Sequence, residues 1–171
     1  MTDGWDGILR ADERILWQGQ PVPSQPMSRH EIVTMIAGLG FCLAAVLWMI
    51  SAYKTGGFWP FGLIHMGVGL FVGFGPKWLG MYARRNTWFS LSNSRAFFAM
   101  RIPFAGPSLN AVDIRPNTGI DFDGDDPGTI RFRAEAVSLI GNQTLTTPQF
   151  DTIPDARTVF TLIRDIQRGI A

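Results

Sequence analysis

Residues 32–76 constrain this chain more than any other stretch. Residues 32–53 (IVTMIAGLGFCLAAVLWMISAY) carry no ionisable side chain apart from Cys42 and the terminal Tyr53, neither charged at neutral pH in a free chain. At ~1.5 Å of rise per residue, a helix of this length matches a hydrocarbon core of ~30 Å. Nine of these residues are Leu, Ile, Val or Phe, each favouring insertion by ~0.3–0.6 kcal/mol, or roughly 3–5 kcal/mol together. Residues 55–76 (TGGFWPFGLIHMGVGLFVGFGP) are as long, but seven glycines, two prolines and His65 dilute their apolar character. With only Lys54 between the two runs, the pattern predicts a transmembrane helical hairpin whose first arm is set by length and whose second arm inserts as its return. Two charge-free runs in succession are more than a soluble core ordinarily requires.

The excess positive charge sits in and beside the hairpin. Residues 1–31 hold three basic against five acidic side chains, a net −2. Residues 32–85 hold four basic and no acidic ones, and residues 86–171 hold eight against nine. Neither flanking part has the basic face of a nucleic-acid binder, so no nucleic-acid partner is expected. The single cysteine excludes an intrachain disulfide, and the acidic N-terminus is unlike the basic n-region of a signal peptide. Arg29 precedes the first arm, and Lys77, Arg84 and Arg85 follow the second, so the positive-inside rule places both termini in the cytoplasm. Trp48, Tyr53, Phe58, Trp59 and Phe61 then form an outer aromatic belt, with Trp78 and Tyr82 at the inner interface. Lys77, Trp78, Arg84 and Arg85 are the expected interfacial anchors, each cation gaining ~1 kcal/mol near anionic headgroups.

Taken in order, the chain divides into residues 1–31 (one short strand at 15–17 and a Pro-rich linker at 20–28), the hairpin at 32–76, an interfacial connector at 77–86 and a folded part at 87–171. Small residues four apart, Gly40 with Ala44 and Gly69 with Gly73, predict either close packing of the two arms or a docking face for another membrane subunit. Pro76 is expected to end or kink the second arm. From Thr87 onward, short β-type runs predominate. TWFSL, the turn Ser92-Asn93-Ser94 and RAFFAMRI read as a hairpin; a break at Pro103 precedes a third strand at 109–114. Residues 119–122 and 129–132 flank the turn-rich DGDDPG, and weaker strands fall near 136–139 and 145–150. A helix follows Pro154, with Val159, Phe160, Ile163, Ile166 and Ile170 on one face. Some seven short strands and one amphipathic helix predict an α+β unit, a small barrel or sandwich plugged at one end.

The run RNTWFSLSNSR (85–95) resembles the opening of the bacterial PH-like (pleckstrin-homology-like) domains. The hairpin ending in Gly128-Thr129-Ile130-Arg131-Phe132, the approach FDTIPDA (150–156) to the last helix, and the leader ERILWQGQP ahead of two membrane helices are similar to the same family. The resemblance implies a small β-barrel of roughly orthogonal sheets capped by the C-terminal helix, on a multi-pass protein of the bacterial inner membrane. It supplies no catalytic residues, since the family has none in common. Lipid-phosphate binding by some eukaryotic relatives depends on a basic loop between the first two strands, and Ser92-Asn93-Ser94 has no charge before Arg95. Ser92 also stands where Thr is common, and residues 134–147 lack a family landmark.

No residue set points to chemistry. Asp121, Asp123, Asp125 and Asp126 resemble a calcium loop, but Asp126 occupies the sixth position in place of Gly and Phe132 the twelfth in place of Glu. His65 is the one residue within a span that can titrate near neutrality, and as a lone histidine it is better suited to a hydrogen bond with the facing helix than to a metal. Gly67, Gly69 and Gly73 lie within a span and not between a strand and a helix, so they form no phosphate loop. The sequon Asn142-Gln143-Thr144 would face the cytoplasm. The expectation is therefore a non-enzymatic protein with no cofactor or metal, partnered by the lipid bilayer and by another membrane or cytoplasmic protein. It is either an interaction module at the membrane surface or an accessory subunit docked through the Gly-rich second helix.

Overall fold

The computed structural model describes residues 5–23, 27–102, 106–141 and 145–170. The middle of the Pro-rich linker, the break at Pro103 and the 142–144 sequon lie outside the described residues. The element order is β1 (Ile15–Gly19), α1 (Arg29–Lys54), α2 (Phe61–Arg85), β2 (Thr87–Ser92), β3 (Arg95–Ile102), β4 (Gly106–Asp113), β5 (Gly119–Phe122), β6 (Gly128–Arg133), β7 (Val137–Ile140), β8 (Gln149–Ile153) and α3 (Ala156–Arg168). Two compact units result: Ser24–Tyr82, holding α1 and most of α2, and Met1–Pro23 together with Ala83–Ala171, holding the strands and α3.

The helical unit begins at a capping box. Ser28 Oγ accepts from the Glu31 backbone N–H at 3.2 Å while the Glu31 carboxylate accepts from the Ser28 N–H at 2.6 Å, satisfying two otherwise orphaned donors. Residues 55–60, expected within the second arm, form the turn between the helices. Pro76 does not end α2, which runs on through it to Arg85, so the expected connector at 77–86 is largely helix. Proline is tolerated within apolar helices because neighbouring groups and local adjustment can satisfy the backbone carbonyl it frees.

The second unit is mixed α+β. A five-stranded sheet, β1-β2-β3-β4-β7, and a three-stranded sheet, β5-β6-β8, are each antiparallel throughout. The expected closed barrel is not formed. After β4 the turn containing Pro116, closed by Thr118 N–H donating to Arg115 O at 3.0 Å, carries the chain into the second sheet. β4 takes β7 as its other neighbour, so among the described residues no strand is bonded to both sheets.

Alternation along the strands explains the core. Phe89 and Leu91 of β2, Ala96 and Phe98 of β3, and Val112 of β4 point one way, toward Ile130, Phe132 and Phe150 of the smaller sheet. Phe150, fully buried, lies with its ring 5.0–5.8 Å from those of Trp17, Phe89, Phe98 and Phe132. α3 closes this core with Ala156, Val159 and Ile163, flanked by Phe160 and Ile166. Ile170 does not belong to that face. The helix ends at Gly169, whose φ of 71° gives the left-handed cap, and Ile170 beyond it is exposed. Asp155 takes the N-cap position and Pro154 precedes it, outside the helix.

The leader is part of this unit and not a separate segment. β1 pairs antiparallel with β2, and Trp5, Ile8, Leu9 and Ile15 cover the outer face of the larger sheet over Phe97, Leu109 and Ala111. A buried ion pair fixes it. The Glu13 carboxylate, 1% exposed, is bonded to the Arg95 guanidinium, 8% exposed. It also accepts from Ser92 Oγ at 2.6 Å, Ser94 Oγ at 3.1 Å and the Arg10 N–H at 3.0 Å. Arg95 further donates to Ile8 O at 2.8 Å and stacks over Phe97. Burial pushes the Glu13 carboxyl up, but hydrogen bonds from Arg95, the Arg10 backbone and Ser92, with the charge of Arg95, outweigh it and lower its pKa from 4.5 to about 2.

Candidate functional site: the helical hairpin and its exit

α1 and α2 pack along a seam with heptad-like spacing. On α1, Gly38, Cys42, Ala45 and Met49 face α2; on α2, Gly62, Met66, Gly69 and Gly73 face α1. Backbones meet at the glycines. A Cβ on Gly38 would lie 2.5 Å from Gly69 O and 2.7 Å from Gly73 Cα, and one on Gly69 would lie 2.7 Å from Cys42 Sγ. Cys42 Sγ donates to Met66 O at 3.5 Å. Gly69 and Gly73 thus sit where the spacing put them. Gly40 does not: nothing lies within 4 Å of a Cβ built there. Ala44 is likewise exposed, and the small residues that α1 uses are Gly38 and Ala45.

Ala44 instead lines an open niche of about 400 Å³ on the flank of the hairpin, with Phe41, Ala45, Trp48, Phe61 and His65. His65 Nδ1 lies 3.2 Å from Phe61 O of its own helix. Because a carbonyl only accepts, Nδ1 is the donor in this contact. Among the described residues the hydrogen bond to the facing helix expected from sequence is not made; on α1 the Phe41 ring lies 6.0 Å from that of His65.

The outer surface of the hairpin is apolar. Of the most apolar 18-residue window of α1, only 11% is buried, and Val33, Ile36, Leu43 and Leu47 are each at least 60% exposed. By length and composition α1 is able to cross a membrane, and among the described residues it is the one helix that is. In α2, Ile64, Val68, Leu70 and Phe71 are also exposed, while the glycines, His65, Pro76 and Lys77 lower the helix's apolar content.

The four expected anchors divide between the units. Trp78 is exposed, with its ring 6.0 Å from that of Tyr82, and Lys77 is half-buried; both belong to the helical unit. Arg84 and Arg85 belong to the α+β unit. Arg84 is engaged by Asp151 of β8 at 2.9 Å, so it ties the helix end to the smaller sheet. Arg85 is exposed, and its carbonyl accepts from the Gln20 side chain at 3.4 Å. Thr87 Oγ1 donates back to Ala83 O at 2.8 Å, joining the last turn of α2 to β2.

The Asp-rich turn is internally committed. Asp123 Oδ1 accepts from the Asp125 N–H at 3.2 Å and Oδ2 from the Thr129 N–H at 2.9 Å, while Asp121 pairs with Arg133 at 2.7 Å. Among the described residues no three His, Cys, Asp or Glu side chains converge as metal ligands.

Compared with known protein families, with curated proteins and with solved structures, the chain matches none significantly.

Proposed function

We propose that this chain is a non-enzymatic, membrane-anchored binding module of a bacterial inner membrane. In this reading α1 and α2 form a two-helix transmembrane hairpin with both termini cytoplasmic. The α+β unit, a PH-like domain, recognises a protein partner or a headgroup at the membrane surface. The observation that carries the reading is the bare apolar surface of α1, of which 11% is buried. Apolar patches larger than a few hundred Å² on a soluble monomer mark contact sites, and an apolar surface that runs the length of a 26-residue helix outside its seam with α2 is suited to lipid. Alkaline carbonate washing of membranes from expressing cells tests it. The protein is expected to stay in the pellet, and release into the supernatant refutes the anchor.

A second reading, the accessory subunit of a larger membrane complex, is favoured by one observation: the exposed small residues Gly40 and Ala44 on α1, the latter lining the His65 niche. Because Gly69 and Gly73 face α1, docking would run through the outward face of α1 and not through the α2 glycines. Purification in mild detergent separates the two. A stoichiometric membrane partner supports the accessory subunit, and a lone monomer or homo-oligomer supports the surface module.

A further inference from the structure

We infer that the end of the larger sheet nearest the α2 exit, carrying Trp88 and Arg101, forms with Arg85 at the end of α2 a contact surface for an anionic bilayer. The inference rests on the membrane reading of the hairpin and adds to it the face of the α+β unit that meets lipid.

Chain reach is the first argument. α2 has 25 residues, about 37 Å at ~1.5 Å each. That exceeds the ~30 Å hydrocarbon core by about 7 Å, roughly the depth of one headgroup layer. Asn86 alone separates α2 from β2, so Trp88, three residues past Arg85, lies within ~10 Å of the helix end at ~3.4 Å per residue. Arg101 is held beside it: its N–H donates to Asn86 O at 2.9 Å. These side chains therefore have a reach to the headgroup zone comparable to one Debye length, ~10 Å at 0.1 M salt.

Their chemistry is the second. Trp88 is 46% exposed, unusual for a large ring on a strand whose other residues are buried. β2 pairs Trp88 with Ala99, which puts the indole on the outer face of the sheet, away from the main core. There it shares an open groove of about 380 Å³ with Arg101, walled by Trp5, Ile8, Leu109 and Ile140. Arg85 and Arg101 are exposed, and neither has a carboxylate within 4 Å among the described residues. A guanidinium beside an amphipathic indole, with a second at the end of α2, complements phosphate headgroups and the carbonyl layer beneath them. The loop between β2 and β3 has no part in this surface, since its residues are bonded to Glu13, Arg14 and Asp12 of the leader.

The test uses the full chain in lipid nanodiscs, either purely zwitterionic or containing about one-third phosphatidylglycerol. A photoreactive benzoylphenylalanine is placed in turn at Trp88, at Leu43 on the bare face of α1 and at Val137 on the exposed β7 edge. Lipid adducts at position 43 are expected in both compositions. At position 88 they are expected mainly with the anionic lipid, and at 137 they stay at background. Replacing both arginines (R85Q with R101Q) removes ~2 kcal/mol of surface attraction, so docking at position 88 should weaken by about thirty-fold. The same probe at Arg101 repeats the reading should the Trp88 variant be poorly folded. Lipid adducts at 43 but only background at 88 and 101, or adducts at 88 to a second copy or another protein, overturn the inference and leave the hairpin standing. Absence of adducts at 43 overturns the hairpin itself.

Discussion

Replacing Glu13 by Gln removes the one charge that offsets Arg95 in the interior of the α+β unit. Gln keeps the shape and some of the hydrogen bonds to Ser92 and Ser94, but it leaves a guanidinium that is 8% exposed without a counter-ion. Breaking a buried pair from one side typically costs ~3–5 kcal/mol. Linkage gives a consistent figure. A folded-state pKa of about 2 against 4.5 unfolded corresponds to about 3 kcal/mol, at ~1.4 kcal/mol per tenfold change in proton affinity. Because the folded pKa is depressed, this stabilisation is complete above 4.5 and is lost as pH falls toward 2. The assay is thermal unfolding of the full chain in detergent, followed by near-UV circular dichroism, to which Trp5 against Phe97 and Trp17 against Phe150 contribute. The wild type should exceed E13Q by about 3 kcal/mol at neutral pH, and the gap should close on acidification. A loss below about 1 kcal/mol, or a gap that does not vary with pH, would refute the reasoning.

Three further outcomes follow from the packing. Phe150→Ala should destabilise the unit by ~3–5 kcal/mol in the same assay, because the ring it removes touches both sheets and the leader. Gly69→Leu with Gly73→Leu should separate the helices, read as loss of a disulfide between cysteines placed across the seam, since a Cβ at Gly69 already lies 2.7 Å from Cys42 Sγ. His65→Leu should leave insertion and that crosslink intact, because its Nδ1 hydrogen bond stays within α2.

Much of the local structure was legible in the sequence. Phe89, Leu91 and Phe98 alternate around the LSNSR turn, where Ser92 Oγ accepts from the Arg95 and Ser94 N–H groups at 2.8 and 3.2 Å. Val159 and Ile163 marked the buried face of α3. Long-range pairing was not legible. Nothing local tells Glu13 that its partner lies 82 residues away, so the leader's short strand could be read from sequence but not its pairing with β2 or the cover that Trp5, Ile8 and Leu9 add to the sheet. Nor does strand content reveal that β4 pairs with β7 and leaves the sheets open. In the hairpin the four-residue spacing of Gly40 and Ala44 fitted a packing face as well as Gly38 and Cys42 do. Two residues turn a helix by about 200°, so the wrong choice of glycine pointed at the wrong side. Only the partner's carbonyl at Gly69 distinguishes them.

The central claim is that α1 and α2 are solvated by lipid, with the α+β unit on the cytoplasmic side. In a Cys42→Ala background, Phe58→Cys in the turn and Val137→Cys on β7 provide single exposed thiols. Spheroplasts treated with a membrane-impermeant maleimide should label position 58 at once and position 137 only after permeabilisation. Labelling of 137 in sealed spheroplasts, or recovery of both variants in the aqueous fraction without detergent, would contradict the account.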